Sequence, residues 1–391
     1  MPDFFNLLIL MVVIWTTGKV FRFLKLPVVF GELMGGILVG PALLGWVPAD
    51  SEIIKVIAEL GIFFMMLHVG LETNPKNFFK STKKSFLIAL GGIFLTLLGG
   101  FFASRAFGLP ILTSLFIGTA LSSTAIAISA RLLKDCKIHN FGSAHLILSA
   151  SIITDVFVLI LFSVILNFAE LGTVTPLSLV YFILKIVLFF GVVLYGGMKI
   201  APFMNRVINF GNKSFTLTLI IALLMGLIAE LIGLHMIIGA FLAGLFIREE
   251  LINKKLFAKI EDRIYGLSYG FFAPIFFASL AFNLDFKAFQ AMPKFLLVIL
   301  LVAIFGKVIG SGLMCRLQKI KPIKSLAIGL AMNNRGTIDL IIASIGLQMG
   351  IINSTIFSIL VATAFIATMF SILGMRPVAK KLRYYKKSVK R

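Results

Sequence analysis

Ile147-Leu-Ser-Ala-Ser-Ile-Ile-Thr-Asp155-Val-Phe-Val-Leu-Ile-Leu161 sets one carboxylate in the middle of an otherwise apolar run over 142–168. A helix needs about 20 mostly apolar residues to cross a bilayer, and this run is long enough. An acid at the centre of such a span costs about 2.5–3.5 kcal/mol on insertion scales, so Asp155 needs a reason to be there. Ser151 lies one turn earlier on the same helical face, and Thr154 is its neighbour in sequence.

The surrounding chain repeats this pattern. Of 391 residues, 59% are hydrophobic and 14% charged, with mean hydropathy +1.05, whereas soluble domains carry about 25% charged residues. Apolar runs long enough to span fall at about 4–22, 28–46, 52–71, 84–107, 111–132, 142–168, 177–200, 214–232, 234–248, 264–284, 293–317, 323–348 and 353–375. The expectation is an all-α polytopic membrane protein of about thirteen transmembrane helices, without room for a large soluble domain. The first run lacks the basic region and cleavage site of a secretory signal, so it is expected to be retained.

The balance of 37 Lys and Arg against 16 Asp and Glu gives +21. Such a charge can mean nucleic acid, but here the bases sit in loops between apolar runs. Counted over alternate loops, about thirty fall on one side, from Lys19, Arg22 and Lys25 through to Arg376 and the residues after it. About three, Arg105, Lys287 and Lys294, fall on the other. The excess puts the N-terminus outside and the C-terminus in the cytoplasm, with anionic lipids as partners at the cytoplasmic face and no nucleic acid.

Thirteen spans divide into two sets of six around the seventh, which makes the second set an inverted repeat of the first. Two spans carry a polar stretch at corresponding places: Thr119-Ala-Leu-Ser-Ser-Thr124 in the fifth and Asn333-Asn-Arg-Gly-Thr-Ile-Asp339 in the twelfth. Unwound backbone at membrane depth survives only where it is buried in protein or lines a cavity.

Six charges are read as lying well inside spans: Asp155, Glu230, Asp339, Lys185, Lys307 and Arg335. Asp155 is the candidate carrier of a proton or a hard cation, with oxygen ligands from Ser151, Thr154 and the stretch around Ser123 and Thr124. The plain alternative is a permanent pair with Lys307. Lys307 reads as a counter-ion, a second proton carrier, or a lysine pinned to a carbonyl of a broken helix. Arg335 and Asp339, four apart, read either as a self-neutralising pair or as compensation for the broken helix ends. Glu230 reads as structural or interfacial, and Lys185 as able to snorkel. His68, His145 and His235 have no metal-ligand spacing and read as packing residues. Cys136 and Cys315 read as free thiols. No Walker motif, GxGxxG turn or catalytic triad is present, so the expectation is a protein driven by an ion gradient, neither an enzyme nor dependent on a cofactor.

Across nearly its whole length the chain resembles monovalent cation:proton antiporters of the Kef and NapA type. The resemblance rests on Gly31-Glu-Leu-Met-Gly-Gly-Ile-Leu-Val-Gly-Pro41, Val69-Gly-Leu-Glu72, Leu121-Ser-Ser-Thr-Ala125, Gly239-Ala-Phe-Leu-Ala-Gly244, Phe271-Phe-Ala-Pro-Ile-Phe-Phe277, Lys307, and Asn333-Asn-Arg-Gly336 with Asp339. It implies two inverted repeats with crossed broken helices, and a homodimer. A mobile core over about 84–168 and 293–375 would move like an elevator against dimerisation helices over about 4–71 and 214–284. The linker is about 177–200, and 376–391 is a basic cytoplasmic tail. On the same grounds Asp155 carries sodium or potassium and the proton in turn, with Ser151, Thr154, Ser123 and Thr124 beside the ion. Lys307, Arg335 and Asp339 compensate charge, and Glu230 and Asn333 are accessory.

Two departures from the family's pattern bear on mechanism. Electrogenic members usually have two adjacent acids where this chain has Thr154 and Asp155, which favours electroneutral exchange. Kef-type efflux systems also carry a large nucleotide-binding domain, whereas the expectation here is a chain without one. The rivals are a Kef-like potassium pathway or channel, and a sodium-coupled organic-anion transporter on a similar plan.

Overall fold

Long Leu, Ile, Val and Phe runs with few charges fold as helices because backbone N–H and C=O groups in an apolar surround must bond within their own segment. The computed structural model describes residues 3–73, 83–139, 141–171, 184–185, 188–189, 191, 214–247 and 254–388, and every regular element among them is helical. Eight of the described helices are long and apolar enough to cross a membrane. The seventh span, expected at 177–200, lies almost wholly outside the described residues, as do Lys76, Lys80, Lys199, Arg206 and Lys213.

The chain divides into two compact units: residues 1–75 with 166–283, and residues 76–165 with 284–391. In the first unit α1 (Asp3–Phe23) packs along α2 (Val28–Val39), and α3 (Glu52–Glu72) follows. The second unit begins with α4 (Lys83–Ala106), α5 (Ile111–Ala120), α6 (Ile126–Asp135) and most of α7 (Gly142–Leu171). The chain returns to the first unit for α8 (Ser214–Leu231), α9 (Met236–Phe246), α10 (Lys254–Leu267) and α11 (Ala273–Leu280). It closes in the second with α12 (Ala288–Ala291), α13 (Pro293–Leu317), α14 (Pro322–Met332), α15 (Thr337–Gln348) and α16 (Ser354–Ser388).

Three spans differ in their bounds from the sequence-based expectation. The second span stops at Val39, because Gly40 precedes Pro41 and a residue before proline is pushed out of the helical region. The tenth span begins ten residues early, at Lys254, and carries a π-helical turn over Ser268–Phe272 before α11. α16 runs through Pro377 to Ser388, so most of the expected tail continues the last helix. The fifth and twelfth spans are each split in two, at residues 121–125 and 333–336, within or beside the polar stretches where breaks were expected.

Each unit has its own apolar core. Leu10, Ile14, Val39, Ile54 and Ile275 cluster in the first. Ile88, Leu132, Ile147, Ile153, Ile328 and Met375 belong to the cluster of the second. The longest packing seam of the second unit, α4 along α13, depends on close backbone approach. A Cβ on Gly91 would meet the Gly310 carbonyl oxygen at 2.6 Å, and one on Gly310 would strike the Gly91 carbonyl in turn.

Gly310→Val is therefore expected to lower stability by about 1–3 kcal/mol or more through overpacking. Gly266→Ala in α10, where a Cβ meets nothing within 4 Å, is expected to leave it unchanged or raise it by up to about 1 kcal/mol through helix propensity. Thermal melts of the purified protein followed by size-exclusion chromatography distinguish the two; equal melting temperatures would contradict the close seam.

Candidate ion-binding site

The second unit is organised around its two interruptions. α5 and α15 run antiparallel. Thr113 Oγ1 donates to the Ile351 carbonyl at 2.9 Å at one end, the Phe116 ring faces Gly346 midway, and Leu121 meets Asp339 and Leu340 at the other. The carbonyl end of α5 thus lies beside the amide end of α15, so dipole ends of opposite sign face each other.

The break in α14–α15 is closed by side chains from three directions. The last carbonyls of α14 each receive a hydroxyl, Leu330 O and Ala331 O in addition to the amides of Asn333 and Asn334. Ser371 donates to Leu330, Ser129 to Ala331 at 2.9 Å, and Thr124 to Met332 at 2.9 Å. The backbone of one break also bonds the other, with Ala125 N–H donating to Asn334 O at 2.8 Å. Asn334 Nδ2 donates to Ser129 Oγ at 3.0 Å, and Asn333 Nδ2 to the Ala367 carbonyl at 3.1 Å. Thr368 completes the clasp, accepting from Arg335 N–H at 3.0 Å and donating to Arg335 O at 3.1 Å.

Lys307, fully buried on α13, donates through Nζ to the Ser122 carbonyl in the α5–α6 break, and its stem passes Gly92 on α4. A cation there compensates the carbonyl end of α5. Arg335 is also buried; its Nη2 donates to the Ala303 carbonyl at 3.2 Å, and its Nη1 lies 3.6 Å from Asp339 Oδ2. This pair is not held within one helix, since Arg335 lies in the break and Asp339 in the first turn of α15, where an acid favours the helix dipole. The two also line a cavity of about 10 Å³, about the size of one water.

Asp155 is 2% exposed in the middle of α7. Ser151 Oγ donates to Ile147 O at 3.0 Å, and Thr154 Oγ1 to Ala150 O at 2.9 Å. Ser151 Oγ also lies 3.7 Å from the sulfur of Met332, whose carbonyl holds Thr124, which joins the helix of the acid to both breaks. The charges of Arg335, Asp339 and Asp155 all act on Lys307. Two buried acids and two buried bases in one unit sum formally to zero.

The structure places the remaining expected residues as follows. Ser123 Oγ is within 3.5 Å of the Ala120 carbonyl inside the first break. Glu230 is exposed on the last turn of α8, in the first unit. His235 caps α9 by accepting from Ile237 N–H, His145 Nδ1 lies 2.9 Å from Ser149 Oγ, and the ring of His68 packs against Tyr265 and Tyr269.

Residue-by-residue reading missed Thr368 and Ser371, which hold the second break from α16. Their signal was there, as small polar residues facing inward at membrane depth in an apolar helix. It also passed over Glu32, an acid 9% exposed on α2.

Comparison with known proteins agrees with this architecture. The solved structure of the sodium proton antiporter MjNhaP1 from Methanocaldococcus jannaschii superposes with TM-score 0.79 at 19% identity, over 97% of this chain and 98% of that one. A probable Na+/H+ antiporter of Bacillus cereus, GerT, is 31% identical over 92% of this chain and 94% of its own length. A Na+/H+ antiporter of Enterococcus hirae is 30% identical over 97% of this chain and 99% of its own. The family described as sodium/hydrogen exchanger, transmembrane, matches residues 7–381, and the chain belongs to it.

Proposed function

We propose that the chain is a secondary antiporter exchanging a monovalent cation, sodium first, for protons, with Asp155 as the shared site. The observation that carries this reading is the burial of Asp155 in mid-span beside Ser151 and Thr154, on a helix joined through Met332 to the two breaks. Ser123, Thr124 and Asn333 supply further oxygens around those breaks, and the Asn333 amide oxygen has no hydrogen-bond partner among the described residues.

One carboxylate can take a proton or a cation, and in either case its charge is neutralised. A core carrying the bare carboxylate would take an ionised, desolvated group across the bilayer, at a cost of about 2.5–3.5 kcal/mol on insertion scales. Crossing is then restricted to the loaded forms, and exchange follows without a separate gate. Lys307 stays on the Ser122 carbonyl and Arg335 beside Asp339 throughout.

The finer reading follows the same lines. The two interrupted spans belong to inverted repeats, and the second unit moves as an elevator against the first, through which a homodimer forms. Thr154, standing where electrogenic relatives have a second acid, makes the exchange electroneutral. The N-terminus faces outside, the C-terminus the cytoplasm, and basic loops meet anionic lipid there. Neither enzyme chemistry nor a cofactor enters. Potassium is the alternative cation, favoured by one relative of Bacillus cereus, GerN, whose name is Na+/H+-K+ antiporter and which is 30% identical over 94% of this chain.

In liposomes with a trapped pH dye and clamped potential, sodium or potassium is expected to drive proton movement in the native protein. In Asp155→Asn the signal is expected to fall to that of empty liposomes, with an unchanged melting temperature; retained exchange in that variant would sink the assignment. Thr154→Asp is expected to make the rate depend on membrane potential, which a valinomycin-imposed potential reads directly. A rate indifferent to potential would leave the electroneutral argument without support.

A further inference from the structure

Among the described residues three other than glycine take positive φ, and all three are lysines: Lys25 at 60°, Lys137 at 56° and Lys319 at 61°. They follow α1, α6 and α13, and each closes its helix in the same way. The lysine amide donates to the carbonyl three residues back, and the next amide donates to the carbonyl five back. Those second bonds run from Leu26 to Phe21 at 2.9 Å, from Ile138 to Leu133 at 2.9 Å and from Ile320 to Cys315 at 3.0 Å. In this doubly bonded helix end the left-handed position ordinarily belongs to glycine.

The glycine form of the same end closes α4, α8 and α15, with Gly108, Gly233 and Gly350 at positive φ and the same two bonds. Leu109, Leu234 and Ile351 come next, as Leu26, Ile138 and Ile320 come after the lysines. The six ends therefore share their bonds, their helix dipole and a following Leu or Ile. What separates them is side. In the order of spans read from the sequence, the lysine ends close the first, fifth and eleventh, and the glycine ends the fourth, eighth and twelfth. Odd and even spans end on opposite faces of the bilayer. A lysine in this position forgoes the freedom that glycine has at positive φ. The helix dipole does not account for it, because the glycine ends carry the same dipole without a base there.

The bases three residues earlier have local work at two of these ends. Arg316 donates to the Ile320 carbonyl at 2.9 Å, and Arg105, before Gly108, donates to the Leu109 carbonyl at 2.6 Å. The three lysines differ: all are exposed, and none makes a hydrogen bond or ion pair among the described residues. Phe23 and Leu24, 86% and 54% exposed, adjoin Lys25, and Leu317, 67% exposed, stands two residues before Lys319. Apolar side chains bared at the end of a span meet lipid tails, and a lysine just beyond them lays its stem along that surface with the ammonium at headgroup depth. Lys137 shares the helix end without such neighbours, since Cys136 and Ile138 are buried. Of the two faces of a cell membrane, the one with a negative surface potential is the cytoplasmic one.

We propose that Lys25, Lys137 and Lys319 bind the phosphate groups of anionic phospholipids, each from a helix end that would otherwise take glycine. The ammonium group donates to phosphate oxygens and fixes the end of its span at the headgroup layer. The choice of leaflet rests on the orientation given under the proposed function. The binding does not, and none of the three is assigned to exchange, so a measurement in detergent separates it from both readings.

Asparagine tolerates the left-handed region, so a change from lysine to asparagine removes the charge and keeps the helix end. The full-length protein, purified in a neutral detergent, is melted while phosphatidylglycerol or phosphatidylcholine is titrated in. Phosphatidylglycerol is expected to raise the melting temperature of the native protein, and phosphatidylcholine is not. Lys25→Asn, Lys137→Asn and Lys319→Asn are each expected to raise the half-effective phosphatidylglycerol concentration about fivefold, the worth of one base at an anionic surface. Their melting temperatures in detergent alone should match the native one; glycine at the same position supplies the test should an asparagine variant fail to fold. Lys381→Gln, which removes an exposed base from an ordinary helical position on α16, is expected to shift the titration far less. A half-effective concentration unmoved in the three variants, or moved as far by Lys381→Gln, would overturn the assignment. So would equal stabilisation by inorganic phosphate, which would make the ligand a soluble anion.

Discussion

The second unit depends on one constraint: the carbonyl groups at the end of α14, where the helix stops among buried residues, must keep their hydrogen bonds. Leaving a buried acceptor unmade costs about 1–3 kcal/mol. The structure meets the need with three hydroxyls from three elements, Ser371 of α16, Ser129 of α6 and Thr124 of the opposite break. Each interruption is thereby part of the cap of the other. α5 faces α15 with opposite dipole ends, Lys307 takes up a carbonyl of the first break, and Asp339 stands at the amide end of the second.

This mutual capping bears on how the unit would move if it is the mobile one. Helix breaks are often treated as soft points, yet here the loosened backbone is bonded at Ser122, Ala125, Asn334 and Arg335. A shift that separated the breaks would expose several acceptors at once. Movement of α5, α6, α14 and α15 together with α13 and α16, which hold them through Lys307, Thr368 and Ser371, costs none of those bonds, which favours rigid-body displacement over local unfolding.

Much of this was legible in the sequence, because a lone acid in an apolar run and two polar stretches inside spans are costly features with few explanations. Asp155, the stretch at Thr119–Thr124 and the one at Asn333–Asp339 all announced themselves that way. What could not be read were features decided by tertiary partners. Thr368 and Ser371 look like ordinary small residues of an apolar helix until the carbonyls they serve are known. The α2 stop at Val39 was present in Gly40-Pro41, but the apolar run beyond it outweighed the punctuation. The π turn at Ser268–Phe272 and the early start of α10 leave no mark in hydropathy, since one is a local change of bonding pattern and the other lies in a charged stretch.

The hydroxyls beside Asp155 carry one further consequence. Ser151 and Thr154 have each committed their only proton to a carbonyl of their own helix, at Ile147 and Ala150. What remains for a guest is oxygen lone pairs, and from these two residues an anion would meet no hydrogen-bond donor. If Asp155 is the ion site, as proposed, the direction of these two hydrogen bonds favours a cation there alongside the carboxylate, and the two side chains would go on disfavouring chloride or an organic acid when Asp155 is protonated.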